Sequence, residues 1–299
     1  MPANAKTVKR RIKSIASTRK ITKAMELVAA SKMRRATQSV LGTRPFAKLS
    51  WETIGAIAKA TGELSHPLLE RNKEAEKTLF VLFAADRGLA GGFNTNMLKR
   101  AVAAIEEEEG LMEAIAVGKR GTYALNKKDV PVIAQFEGLS NKPTFEDVLP
   151  IGKLVMDAFL EGKYKRVIVG YTDYVSGLVQ RPNVFELLPL GSPIEGLGEV
   201  KNNEEMAEET IEAEIEYTFE PDRAAVLDRT LPRLIETMLY QALLESSASE
   251  HSARMMAMRS ATDNASDMLD DLKLTYNRIR QAGITQEIAE ISSGKAAIE

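Results

Sequence analysis

The chain has 299 residues, 44% hydrophobic and 27% charged, with a net charge of −2, which is the profile of an ordinary globular protein of one large or two small domains. It has no cysteine, which excludes disulfides, thiolate catalysis and cysteine-ligated zinc, and its two histidines, His66 and His251, are too far apart to make a metal-ligand spacing. No run of 18 or more apolar residues offers a membrane span, so any membrane association is expected through a partner.

The small net charge hides a polarity. Residues 1–40 carry eleven Lys or Arg against one acid, Glu26, whereas residues 204–220 are crowded with glutamates. A basic helix of this kind is a solvated face, a polyanion binder or the complement of an acidic protein surface. Nucleic-acid binding by base stacking wants aromatic residues in the segment, and residues 1–40 have none. An arginine-rich, acid-poor start also suits a transit peptide, but an apolar seam begins at Val8 and continues through Ile12, Ile15, Thr22, Met25, Ala29 and Ala36. The basic segment is therefore expected to be part of a long helix, with no cleavable signal.

Residues 3–41 and 233–282 lack internal helix breakers. The second stretch, as a helix, reaches roughly 75 Å. Its seam runs through Leu227, Leu231, Leu234, Met238, Ala242, Ala248, Met255, Thr262, Leu269, Leu272, Tyr276 and Ile279. Spacings of three and four make a narrow stripe that suits one partner helix, and small residues let two backbones approach. If the middle folds with both attachments on one side, the two helices run antiparallel as a two-stranded coil. The competing arrangement packs each helix separately onto the middle.

In the middle, residues 78–84 form a short apolar run expected as a strand buried on both faces, followed by the turn Asp86-Arg87-Gly88-Leu89-Ala90-Gly91-Gly92 and a helix from about Asn94 to Glu108. Ala114–Val117, Val130–Phe136, Arg166–Tyr171 and Val184–Leu188 are further strands, and residues 146–161 a helix. Strands alternating with helices predict a mostly parallel sheet. The glycines after the first strand have the shape of a phosphate cradle, yet they do not fit G-x-G-x-x-G, and a tight strand-to-helix turn explains them equally well. Asp86 and Arg87 either pair within that turn or meet a partner. Residues 191–210 look like a connector. An amphipathic strand is expected over Thr210–Phe219, with Pro221 closing it and Asp222 capping the last helix.

The segment Ile21-Thr22-Lys23-Ala24-Met25-Glu26-Leu27-Val28-Ala29-Ala30-Ser31-Lys32-Met33-Arg34-Arg35 resembles the N-terminal helix of the gamma subunit family of F-type ATP synthases. Asp86-Arg87-Gly88-Leu89 with Gly91-Gly92-Phe93-Asn94 resembles that family's central turn. Ser249 through Ala265, and Tyr276 through Ile288, are similar to its C-terminal helix. The resemblance covers the chain in the family's order. It implies a coiled-coil shaft with a Rossmann-like α/β lobe: a coil helix over 1–60, the lobe over 75–195, an acidic connector and strand over 196–220, and the second coil helix over 221–299.

The function so implied is that of a non-catalytic rotor without cofactor. One copy per complex threads the ring of alpha and beta subunits and rests with epsilon on the c ring, touching the membrane only through that ring, on the cytoplasmic face of a bacterial-type plasma membrane. Carried over residue by residue, contact with a beta subunit is expected at Arg280 and Gln281, with Thr285, Gln286 and Glu287 close by and Met25 on the facing helix. Ile284, Ile288, Ile291 and Ile298 are expected in a sleeve lined by the ring; the competing reading is a frayed tail. Lys9, Arg10, Lys20, Lys23, Lys32, Arg34 and Arg35 are expected to form a positive track against acidic beta loops. The foot near Tyr217, Phe219 and Glu220 is expected to meet epsilon and the c ring. Ala85 and Ala90 depart from a common serine and cysteine of the family, and the regulatory cysteines of the chloroplast type are missing.

Overall fold

The computed structural model describes residues 5–61, 66–108, 110–190 and 223–296. The chain divides into two compact units: Met1–Ala29 with Met255–Glu299, and Ala30–Arg254. Five α-helices occur among the described residues: α1 (Ala5–Thr61), α2 (Phe93–Glu107), α3 (Lys119–Lys127), α4 (Leu149–Leu160) and α5 (Arg223–Ala296). The strands are β1 (Lys77–Phe83), β2 (Met112–Val117), β3 (Val132–Phe136), β4 (Tyr164–Tyr174) and β5 (Gln180–Leu188).

In the larger unit the strands form one sheet in the order β3-β2-β1-β4-β5. The first four are mutually parallel, and β5 returns antiparallel to β4. β1 is central and its side chains alternate between two cores. Leu79, Val81 and Phe83 face a core shared with Ile151, Val155 and Phe159 of α4 and with Leu231, Leu234, Ile235, Met238, Leu239 and Ala242 of α5. Phe80 and Leu82 face the opposite core, with Met97 and Ala101 of α2 and Leu125 of α3. This period of two across a sheet covered on both faces is why residues 78–84 read as an unbroken apolar run. Two glycines are dictated by close approach. A Cβ at Gly170 would lie 2.9 Å from Phe80 ring atoms, and one at Gly118, where φ is +96°, would lie 2.1 Å from the Ala84 carbonyl oxygen.

α5 is thus a lobe helix over its first part as well as a shaft helix, so the arrangement with a long helix packed on the α/β core applies to residues 223–254. Both long helices run through residues that disfavour a helix interior: Gly42 and Pro45 in α1, Pro232 and Gly283 in α5. An interior proline costs about 3 kcal/mol. Around Pro232 that cost is offset by Leu231, Leu234 and Ile235, each no more than 2% exposed and each contributing about 1.5–3 kcal/mol on burial. α3 was not foreseen; its nine residues hold only two buried positions, Gly121 and Leu125, too few to show a period.

In the smaller unit the two helix segments pair along the expected seam. Val8, Thr22 and Ala29 of α1 are buried and Ile12, Ile15 and Met25 partly so; opposite them, Leu269 is buried and Met255, Thr262, Leu272, Tyr276 and Ile279 are partly buried. The hydroxyls of Thr22 and Thr262 lie 2.8 Å apart. Lys273, and behind it Arg19 of α1, holds the Asp270 carboxyl below its ordinary pKa. Earlier residues of α1 thus face later residues of α5, the antiparallel coil that the spacing predicts. Burial on α5 ends at Ile279, and residues 280–293 are exposed. That is where the register set by Thr22 and Thr262 runs out of α1.

Candidate functional site

The C-terminal edge of the sheet is the place where a doubly wound fold would hold a nucleotide. Here α5 occupies it. Leu243, Ser246, Ser247 and Glu250 line the crevice beside Ala84, Asp86 and Gly118, leaving a cavity of about 10 Å³, room for one water. Asp86 serves the fold: its Oδ1 accepts the Lys119 N–H at 3.2 Å and its Oδ2 the Gly138 N–H at 2.9 Å. Of the turn glycines, Gly91 sits at positive φ (+54°), and so does Leu89 (+61°), a strained conformation for a leucine that is also 66% exposed.

What the edge holds is a polar lock. Every residue of α5 from Gln241 to Ala253 is buried, although the run includes Glu245, Glu250, His251 and four serines. Glu250 pairs with Arg254 one turn on at 2.7 Å and Ser249 Oγ is buried without a partner among the described residues, but the others meet a loop or strand that ends there. Beyond Gly170, β4 has outrun β1, and its free N–H groups are taken by helix side chains: Thr172 donates to Ser246 Oγ at 3.1 Å and Tyr174 to Glu245 Oε2 at 3.0 Å. Ser247 Oγ donates to the Ser140 carbonyl at 2.7 Å, with His251 Nε2 3.1 Å from the same oxygen. Ser252 Oγ donates to the Gly177 carbonyl at 2.7 Å, and Arg254 Nη2 to the Gly88 carbonyl at 3.4 Å. Three loops of the lobe are therefore fastened to four turns of one helix. Burial first, then the Arg254 charge, push the His251 imidazole down to about 4, so it is neutral at pH 7.

The sequence alone shows His251 only as a histidine remote from His66 and does not single out these serines. The signal available was the run Ser246-Ser247-Ala248-Ser249, small residues where a helix must touch backbone on several sides. A second buried contact was also unforeseen: Arg44 of α1 pairs with Glu245 at 3.0 Å, with side chains 8% and 0% exposed.

The residues expected to meet partners fall elsewhere. Arg280, Gln281, Thr285, Gln286 and Glu287 lie on the end of α5 that has no partner among the described residues and are exposed. Ile284, Ile288 and Ile291 are 47%, 62% and 74% exposed on the same end. Met25 is partly buried in the coil. The antiparallel register places it roughly 30 Å along the helix from Gln281, so the structure does not bring these expected contact residues together. Lys9, Arg10, Lys20 and Lys23 are exposed in the smaller unit, Lys23 pairing with Glu26 at 2.9 Å. In the larger unit Arg34 and Arg35 are exposed, whereas Lys32 Nζ donates to Asn141 Oδ1 at 2.7 Å and so serves the lobe. Tyr217, Phe219, Glu220 and Ile298, with the connector and the strand expected over 210–219, lie outside the described residues. Among the described residues no helix is long and apolar enough to cross a membrane, and no cluster of His, Asp or Glu is placed to hold a metal.

The sheet's crevice is thus filled by its own helix, and the helical pair leaves the last turns of α5 exposed. The ATP synthase family model matches residues 4–298. The gamma chain of ATP synthase from Pelotomaculum thermopropionicum is 43% identical over 292 residues, covering 98% of both chains, and that from Alkaliphilus metalliredigens is 42% identical over the full length of both. A chain in the cryo-EM structure of the Euglena gracilis mitochondrial ATP synthase (OSCP/F1/c-ring) shares the fold, with a TM-score of 0.66, 19% identity and coverage of 98% of this chain and 94% of that one. The chain belongs to the ATP synthase gamma chain family.

Proposed function

We propose that this protein is the central-stalk rotor of an F-type ATP synthase, a non-catalytic subunit present once per complex that passes rotation of the c ring to the alpha and beta subunits. The observation that carries the reading is the bare end of α5: residues 280–293 keep Ile284, Ile288 and Ile291 exposed on a helix with no partner among the described residues. Full burial of one isoleucine contributes about 1.5–3 kcal/mol, so a sleeve in the alpha/beta ring stabilises the assembled state without directional bonds that would resist turning. Ile298 extends the same bearing.

Arg280, Gln281, Thr285, Gln286 and Glu287 meet a beta subunit beside that bearing, and Met25 meets one lower on the coil. The exposed cations Lys9, Arg10, Lys20, Lys23, Arg34 and Arg35 run along acidic beta loops. Each exposed pair contributes about 0.2–1 kcal/mol and is screened by salt, weak enough to break at every turn. Lys32 joins the track through its stem while its ammonium group holds the lobe. Tyr217, Phe219 and Glu220 form the foot on epsilon and the c ring, which is the sole route to the membrane, on the cytoplasmic face. Torque entering through the lobe reaches α5 through the polar lock at residues 241–254, where buried hydrogen bonds resist slip.

Mixing the purified chain with alpha and beta subunits tests this reading. Entry of a single copy into a six-subunit ring, with sustained ATPase, supports it; failure to enter the ring refutes it.

A further inference from the structure

Within the larger unit, α1, β4 and α5 meet over a polar cluster that water barely reaches. Arg44 of α1 is 7% exposed, Asp173 of β4 8% and Glu245 of α5 0%. Glu245 Oε1 accepts from Arg44 Nε at 3.2 Å, Arg44 Nη2 at 3.0 Å and Gln241 Nε2 at 2.9 Å, and Oε2 accepts the Tyr174 N–H at 3.0 Å. Arg44 Nη2 also lies 3.2 Å from the Tyr174 carbonyl oxygen. Thr43 Oγ1 donates to Gln241 Oε1 at 2.6 Å and so fixes the amide. The Asp173 carboxyl is within hydrogen-bonding reach of Glu245, while its Oδ1 is buried without a donor.

Two acids and one buried arginine do not balance. The other groups facing Asp173 are Arg181 of β5 and the phenol of Tyr171 on β4. Arg181 is exposed and screened. Like charges this close disfavour double ionisation, and the donors decide which acid keeps the proton. Glu245 gathers four N–H donations and is the anion. Asp173, with none on Oδ1, is the acid.

We propose that Asp173 and Glu245 share one proton, and that this proton pins a joint between α1, β4 and α5 that tightens in acid and loosens when it is lost. With the proton present the cluster is neutral and the Asp173 hydroxyl donates to Glu245. Without it, two adjacent anions repel beneath Arg44. Burial, then the Glu245 charge, push Asp173 from 3.8 up to about 6, against the pull of Arg44 and Arg181. A raised folded-state value means that the stabilisation is full below 3.8 and lost as pH rises through about 6. The joint lies between one long helix and the lobe, so the proton sets how firmly the lobe holds that helix.

The test is a carbon-13 carboxyl titration of aspartate-labelled full-length protein, with urea unfolding from pH 4 to pH 8. One aspartate should titrate near pH 6, vanish in Asp173→Asn, and move to lower pH in Glu245→Gln, which removes the like charge. Asp173→Asn should match the parent below pH 4 and exceed it in stability at pH 8. An Asp173 midpoint in the ordinary carboxylate range overturns the proposal. So does a stability difference between parent and Asp173→Asn that is the same at every pH, even if Glu245→Gln fails to fold.

Discussion

Thr22 and Thr262 meet hydroxyl to hydroxyl at 2.8 Å across the two long helices, and each also reaches a carbonyl of its own helix, Arg19 at 3.1 Å and Met258 at 2.8 Å. Two protons serve three acceptors, so at any moment one hydroxyl bonds across the coil while the other bonds back. This is a register pin in a seam otherwise made of apolar and small residues. Thr262→Val should cost about 1 kcal/mol by leaving Thr22 without its cross-helix partner. The double variant Thr22→Val, Thr262→Val should cost less than the two single changes added together, a coupling of about 0.5–1 kcal/mol in urea unfolding. Strict additivity would mean that the hydroxyls do not interact.

His251 gives a pH dependence opposite in sign to that of Asp173. Burial and Arg254, with Lys32 and Arg35 behind, hold its folded value at about 4, below the ordinary 6.5. The unfolded chain therefore binds the extra proton between these values, and stability contributed by neutral His251 is full above 6.5 and lost as pH falls toward 4. His251→Gln, which can still donate to the Ser140 carbonyl, should be less acid-sensitive than the parent across that window. Thermal midpoints at pH 4.5 and 7.5 measure it; an equal acid-induced drop in both proteins would show that His251 titrates normally.

The exposed isoleucines separate folding from assembly. Replacing Ile284 and Ile288 by serine should leave the unfolding free energy of the isolated chain within about 0.5 kcal/mol, because neither side chain is buried. The same change should weaken retention in an alpha/beta ring, read as the fraction of complex that keeps the chain through gel filtration. Loss of stability in the isolated chain would show instead that this end folds back on a partner of its own.

Met25 is partly buried one turn from the Thr22 pin and beside Glu26, which already pairs with Lys23. Met25→Lys adds a cation where the proposed track meets acidic beta loops and strengthens a contact that must break on each turn. Coupling should fall more than binding. The measurement is proton pumping per ATP hydrolysed in membrane vesicles, and an unchanged ratio would remove Met25 from the contact.

Much of this architecture was legible because it rests on periodicity. The seam from Val8 to Ala36 and the alternation within β1 follow from spacings of three to four and of two, and the unpartnered end of α5 follows from the unequal lengths of the two helices. The lock at 241–254 was illegible for the opposite reason. Glu245, His251 and the serines are polar residues that hydropathy assigns to solvent, and only tertiary contact with Thr172, Tyr174 and Ser140 reveals them as interior. Pro232 sits inside α5 because its local penalty is smaller than the burial of its neighbours. The partner contacts proposed at Arg280 and Gln281 rest on the resemblance, since no intrinsic property of an exposed helix end distinguishes these residues.

A rotor of this kind must turn relative to the alpha/beta ring that grips the end of α5. The most direct measurement is to fix an alpha/beta complex containing it to a surface, attach a probe to the exposed Tyr123 side of α3 through an introduced cysteine, and watch the probe while ATP is consumed. Unidirectional rotation of the probe, stopped when a disulfide ties the chain to a beta subunit, is the predicted result. A probe that stays fixed while hydrolysis continues at its full rate would show that the chain is not a rotor.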